Sequence, residues 1–220
     1  MSMKLRKRDV REMEPKSEIC AGPPVWEHND CISGSSATLL LSAVQDLSEA
    51  VWRASAGRDH YLHNSGVQWI DLKVSGDTVV LVPGYLSGVR VELLAAISQL
   101  LALTECHRIG RVFISRYAPH SGKGAVRQFS LAPHVDSGKM TSSLSLRPAG
   151  SQGGLLAVST AVDGCFPRKG NRDVIDSRYG SIRHYHQGHG SVLTVHGSEV
   201  EHFVTTTVKA ARYALVVFGV

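Results

Sequence analysis

Residues 131–140, LAPHVDSGKM, place His134 and Asp136 two positions apart. On a β-strand, residues i and i+2 point to one face, so this imidazole and this carboxylate can share a metal ion. Alone the pair is weak evidence, because a 220-residue chain with 11 histidines produces an H-x-D by chance readily. A 2-His-1-carboxylate site needs a further histidine from a distant strand; it suits ferrous iron and leaves positions open for a chelating cosubstrate and O2. The downstream candidates are His184, His186, His189, His196 and His202. His202 is the best placed: it opens the segment HFVTTTV, and ten residues later Arg212 opens RYALVVF. A guanidinium in such an apolar run is costly to bury without an anion, and it takes a carboxylate as a two-point fork.

The order Arg116-Tyr117, His134-Val135-Asp136, Thr141, GGLL at 153–156, His202 and Arg212 resembles the 2-oxoglutarate and Fe(II)-dependent dioxygenases. The similarity is greatest to their prolyl 4-hydroxylase branch and covers residues 111–220. The resemblance implies iron held by His134, Asp136 and His202, with Arg212 on the distal carboxylate of 2-oxoglutarate. It implies Tyr117 on that same carboxylate, assisted by Thr141, and it aligns Ser145 with a tyrosine of several relatives. His196, in TVHGSE, is expected beside the ligands rather than among them, and Arg116 and Arg127 are candidates for contact with substrate. The family often carries Pro and Gly between its second histidine and the arginine; HFVTTTVKAAR keeps the spacing without either.

By this resemblance the chain is an oxygenase that hydroxylates a C–H bond, a prolyl residue of a protein or peptide being the first expectation, with ascorbate as a supporting reductant. A small-molecule substrate and a non-catalytic jelly-roll binding module stand as alternatives. Nucleic acid is disfavoured as a partner, because nucleic-acid demethylases of this kind carry a further arginine where Val208 stands.

The elements that must position these residues follow from hydrophobic periodicity. Leu40, Val44, Leu47 and Val51 recur at helical spacing and predict a helix over 38–56; a second is expected over 89–103. Between them, two strands flank Ser75-Gly76-Asp77 as a hairpin. From residue 111 onward seven short segments are alternating or β-branched and separated by Gly, Pro or Ser. That texture predicts a mainly β fold with flanking helices (α+β): a double-stranded β-helix, or jelly roll, carrying N-terminal helices on one side. Residues 161–190, including the cluster RHYHQGHG, read as a long loop near the site.

The expected organisation is a leader over 1–35 and one domain over 36–220, helical and hairpin to 110 and catalytic from 111. Trp26, Trp52 and Trp69 are read as packing residues. Four cysteines show no metal or disulfide spacing and are expected as reduced thiols. The net charge of +5 is that of a mildly basic surface. The first residues carry no apolar signal segment, so a cytoplasmic or nuclear address is expected. No membrane span is expected from the sequence, and composition is silent on oligomeric state.

Overall fold

The computed structural model describes residues 25–54, 67–119, 129–159 and 182–220. In chain order the elements are β1 (Val25–His28), α1 (Gly34–Gln45), β2 (Arg53–Ala54), β3 (Val67–Ser75), β4 (Val79–Leu81) and α2 (Arg90–Leu103). They are followed by β5 (Ile109–Tyr117), β6 (Phe129–His134), β7 (Met140–Leu146), β8 (Gln152–Gly153) and β9 (Leu156–Ser159). The chain closes with β10 (Ile182–Tyr185), β11 (Val192–Val195), β12 (His202–Thr205), β13 (Thr207–Val208) and β14 (Arg212–Gly219). A major antiparallel sheet runs β1-β11-β7-β14-β5-β3-β2, with β4 added on β3; a minor sheet runs β10-β9-β12-β6, and β13 pairs with β8. Successive strands β5, β6, β7 and β9 pass from one sheet to the other and back, which is the wrapping of a jelly roll.

Period two decides what each sheet face carries. Along β14, Tyr213, Leu215 and Val217 point outward into the large apolar cluster that includes both helices. Arg212, Ala214, Val216 and Phe218 point the other way, into the space between the sheets. The helices meet the outer face because their apolar residues form one stripe. In α2, Leu93, Ala96, Ile97 and Leu100 are buried at i, i+3, i+4 and i+7; in α1, Ala37, Leu40, Leu41 and Val44 are. Each large aliphatic side chain removed from water there contributes roughly 1.5–3 kcal/mol. Residues 84–103, a 3-10 turn leading into α2, are long and apolar enough to cross a membrane by composition. Here that stripe is spent on the sheet, against β7 and β14.

The expected hairpin forms, with Gly76 at φ +66° making the turn between β3 and β4. The expected jelly roll likewise is the fold. Three boundaries are corrected. The helix expected over 38–56 stops at Gln45, capped at Asp46, and residues 46–51 turn back so that half-buried Leu47 and Val51 pack on the core. Asp46 and Ser48 supply little helix propensity, and Ser48 O accepts the Val51 N–H instead. The leader expected over 1–35 overlaps a structured region: β1 is the edge strand of the major sheet, paired with β11, and α1 begins at Gly34. The loop expected over 161–190 ends earlier than anticipated, since 182–185 form β10 on β9 and Tyr185 and Gln187 are buried.

Candidate active site

β6 and β12 are antiparallel neighbours, and His134 and His202 are direct partners in their register. Their rings lie 4.5 Å apart, centroid to centroid. Asp136 sits two residues past His134, where the chain leaves β6, and its backbone N–H donates to Gly197 O at 2.7 Å. One carboxylate oxygen is 3.4 Å from His134 Nε2 and the other 3.4 Å from His202 Nε2. A ligand atom of each residue lies within 4.8 Å of those of the other two; among the described residues no other group of His, Cys, Asp or Glu comes together this way. Two nitrogens and one carboxylate on one side of a cavity are the donor set that suits ferrous iron with open positions.

The surroundings orient two of the three. His202 Nδ1 donates to Val200 O at 2.9 Å, which leaves Nε2, facing Asp136, as the nitrogen a metal would take. Thr141 Oγ1 donates to Asp136 Oδ2 at 2.6 Å. Gly197 is required where it stands: a Cβ there would meet Thr141 Oγ1 and lie 2.9 Å from Asp136 Cβ. Burial by itself would raise the Asp136 pKa, but the charges and hydrogen bonds of His202 and His134 outweigh it and hold the carboxyl well below the usual range. Burial likewise opposes a charged His202, and Asp136 with the Val200 carbonyl overcomes it, so His202 is raised above an ordinary histidine.

The trio opens into a cavity of about 440 Å³ between the sheets, in the ordinary range of small-molecule sites. Arg212 lies at the far end, six residues along β14 from Phe218, which pairs with Thr141. It is 2% exposed, and its guanidinium sits 5.0 Å from the centre of the Tyr117 ring, its register partner on β5. Gly154 gives the arginine stem room: a Cβ there would come within 2.9 Å of Arg212 Cδ. Arg212 Nε and Ser145 Oγ are both buried without a hydrogen-bond partner. Such groups are costly to leave unmatched, and of the two only Arg212 lines the cavity, where a carboxylate would meet its guanidinium.

Of the five downstream histidines, only His202 joins the His134–Asp136 pair. His184, His186 and His189 are exposed. His196 does not line the cavity; its ring packs against Trp26, 5.1 Å between centres and tilted by 59°, and its carbonyl accepts from the N–H groups of Glu199 and Val200 to build the turn before His202. Arg116 is also corrected to a structural role. It points to the outer face, forked onto Glu49 at 2.6 Å and lying over Trp52. Thr141, expected near the distal carboxylate, is at the opposite end on Asp136, because strand alternation fixes the face of a residue and not its height along the cavity. Tyr117 lines the cavity; Ser145 lies behind the lining, paired with Ala214. Arg127 lies outside the described residues.

Three features escaped the sequence reading. Gln187, inside RHYHQGHG, is 5% exposed and accepts from Arg212 Nη2 at 2.6 Å. Gly197 has the packing role given above. Trp69, read as packing, lines the cavity with Phe113, and Arg111 lies over both rings, at 5.4 and 4.5 Å, while pairing with Asp71 at 2.6 Å. Arg111 and Phe113, two apart and so on one face of a strand, were the available signal.

No family model and no curated protein matches the chain. Solved structures do. A Pseudomonas putida prolyl-4-hydroxylase aligns with a TM-score of 0.54 at 16% identity, over 90% of this chain and 93% of that one. A Burkholderia pseudomallei oxidoreductase of the 2OG-Fe(II) oxygenase family aligns at 0.54 and 13%, over 89% and 83%. A Trichoplax adhaerens prolyl hydroxylase, in complex with a hypoxia inducible factor oxygen degradation domain peptide fragment, aligns at 0.53 and 18%, again over 89% and 83%. The fold is theirs. It is the jelly roll seen in these structures, shared at 13 to 18% sequence identity.

Proposed function

We propose that this chain is an Fe(II)- and 2-oxoglutarate-dependent dioxygenase that hydroxylates a C–H bond, with a prolyl residue of a protein or peptide as substrate. The observation that carries the reading is the pairing of two features in one cavity. One is a His-Asp-His cluster of metal-ligand geometry; the other is a buried arginine with an unmatched N–H and no carboxylate partner among the described residues.

His134, Asp136 and His202 would hold ferrous iron, which would supply the oxidation in which 2-oxoglutarate and O2 give succinate and CO2 and one oxygen enters the substrate C–H bond. The chain's own residues would do the rest. His134 and His202 present Nε2, Asp136 a carboxylate oxygen, and Thr141 and the Val200 carbonyl hold two of those ligands in orientation. Arg212 and Tyr117 would take the distal carboxylate of 2-oxoglutarate, leaving its keto-acid end for the metal. Ser115 and Ser143 line the stretch between the two ends. Val67, Leu131, Val204 and Val216 give the cavity apolar walls that keep water from the reacting centre. The prolyl assignment is supported by the aromatic wall of Trp69, Phe113 and Phe218, flat faces on which a pyrrolidine ring can pack, and by the fold shared with structures named as prolyl hydroxylases.

The test is succinate release from 2-oxoglutarate after anaerobic loading with Fe(II) and admission of O2, in wild type, His134→Ala and Arg212→Ala. Release in wild type alone is expected. Turnover that survives loss of His134 removes the metal assignment. Presenting a proline-containing peptide library and seeking products heavier by one oxygen then tests the substrate, and oxygen gained only on other residues replaces the prolyl assignment.

A further inference from the structure

The cation at the inner end of the cavity is held by a neutral side chain. Gln187 Oε1 accepts from Arg212 Nη2 at 2.6 Å, and Gln187 Nε2 donates to Ser143 O at 3.1 Å. The second bond settles which way the amide points: a carbonyl accepts only, so the nitrogen must face Ser143 and the oxygen must face the guanidinium. Gln187 does not line the cavity; it lies behind Arg212, between that cavity and a second one bordered by Glu27, Asp30 and His189. Arg147 stands near the same end, bonded to the Gly153 carbonyl at 2.6 Å and to Ser151. Among the described residues neither Arg147 nor Arg212 is paired with a carboxylate.

A glutamate in place of Gln187 would set a carboxylate against the guanidinium and neutralise its charge, while turning its other oxygen toward the Ser143 carbonyl. The amide instead anchors one edge of the fork and leaves its charge unmatched. We propose that Gln187 is the positioning residue that keeps Arg212 both fixed and electrostatically free, so that the inner end of the cavity selects a cosubstrate carrying a distal carboxylate. The inference rests on the dioxygenase reading and adds to it the residue that sets the demand for a dicarboxylate. Gln187 acts through Arg212; it touches neither the metal ligands nor the cavity itself.

The experiment measures binding by calorimetry to the Mn(II)-loaded chain, with 2-oxoglutarate and with 2-oxobutyrate, which has the same keto-acid end but no distal carboxylate. Wild type, Gln187→Glu and Gln187→Leu are compared, each with its thermal midpoint. Wild type is expected to prefer 2-oxoglutarate. Gln187→Glu should lose tenfold or more in 2-oxoglutarate affinity and keep its 2-oxobutyrate affinity. Gln187→Leu removes both hydrogen bonds and no charge, and should fall between the two. In turnover, Gln187→Glu should raise KM for 2-oxoglutarate while kcat at saturation holds. Equal preference for 2-oxoglutarate in wild type and Gln187→Glu overturns the inference and leaves the dioxygenase reading standing. A Gln187→Leu loss as large as that of Gln187→Glu also overturns it, because packing alone would then explain both. If Gln187→Glu does not fold, an undiminished preference in Gln187→Leu is the overturning result. A wild type that binds no 2-oxoglutarate overturns the dioxygenase reading and the inference together.

Discussion

The two faces of β14 differ more than its sequence suggests. RYALVVFG is buried along its whole length, yet its odd-numbered side chains meet helices and its even-numbered ones meet a cavity. On the outer face Tyr213, Leu215 and Val217 join a close-packed apolar cluster. On the inner face one row runs from Arg212 through Ala214 and Val216 to Phe218, with Tyr117, Ser115 and Phe113 beside it on β5. The outer face holds the sheet together by area; the inner face keeps small and polar side chains where space is needed. A single strand thus couples the stability of the fold to the position of the cation, and substitutions on its two faces should separate those effects.

Four outcomes would sharpen or break that contrast. Asp136→Ala, at the metal end of the inner cavity, should abolish turnover while leaving a folded jelly roll by circular dichroism. The loss should exceed the roughly 10–100-fold that outer partners of metal ligands usually cost. Leu215→Ala, fully buried on the outer face, should lower unfolding free energy by about 2–5 kcal/mol in urea titration while the folded fraction keeps its turnover. An equal loss of turnover per folded molecule would show that the two faces are not separable. Thr141→Val removes the hydroxyl on Asp136 at nearly constant volume, and should weaken iron binding roughly tenfold in a competition titration with little change in stability.

The smallest effect is with pH. A ligating histidine must be neutral, so protons compete with iron for His202. Its pKa in the metal-free chain is raised, because the charge of Asp136 and the Val200 carbonyl overcome the opposing effect of burial. Iron affinity should therefore be flat at high pH and begin to fall above the ordinary histidine value of about 6.5, by up to tenfold per unit further down. Asp136 is held below the usual carboxylate range and should add no slope across that window. An affinity that stays level to pH values well under 6 would contradict the contacts given to His202.

The sequence disclosed the strands because alternation and β-branched residues survive in each of them, and it disclosed the H-x-D pair because a strand puts i and i+2 on one face. Arg212 was legible as a charge in an apolar run. β1 was not, since four residues between Pro24 and Asn29 carry little pattern, and its pairing with β11 is a long-range fact. Gln187 and Gly197 left no signal: a lone amide or glycine has no period, and each has meaning only beside residues far off in the chain. Thr141 was read on the correct face and at the wrong end, because alternation says nothing of depth.

The proposed function depends on His134, Asp136 and His202 holding one ferrous ion together. Anaerobic equilibrium dialysis against Fe(II), with iron counted per chain, tests this most directly. The account predicts one tightly held iron in wild type and its loss in His202→Ala. Wild-type protein that retains no iron, or a His202→Ala protein that retains as much, would contradict it.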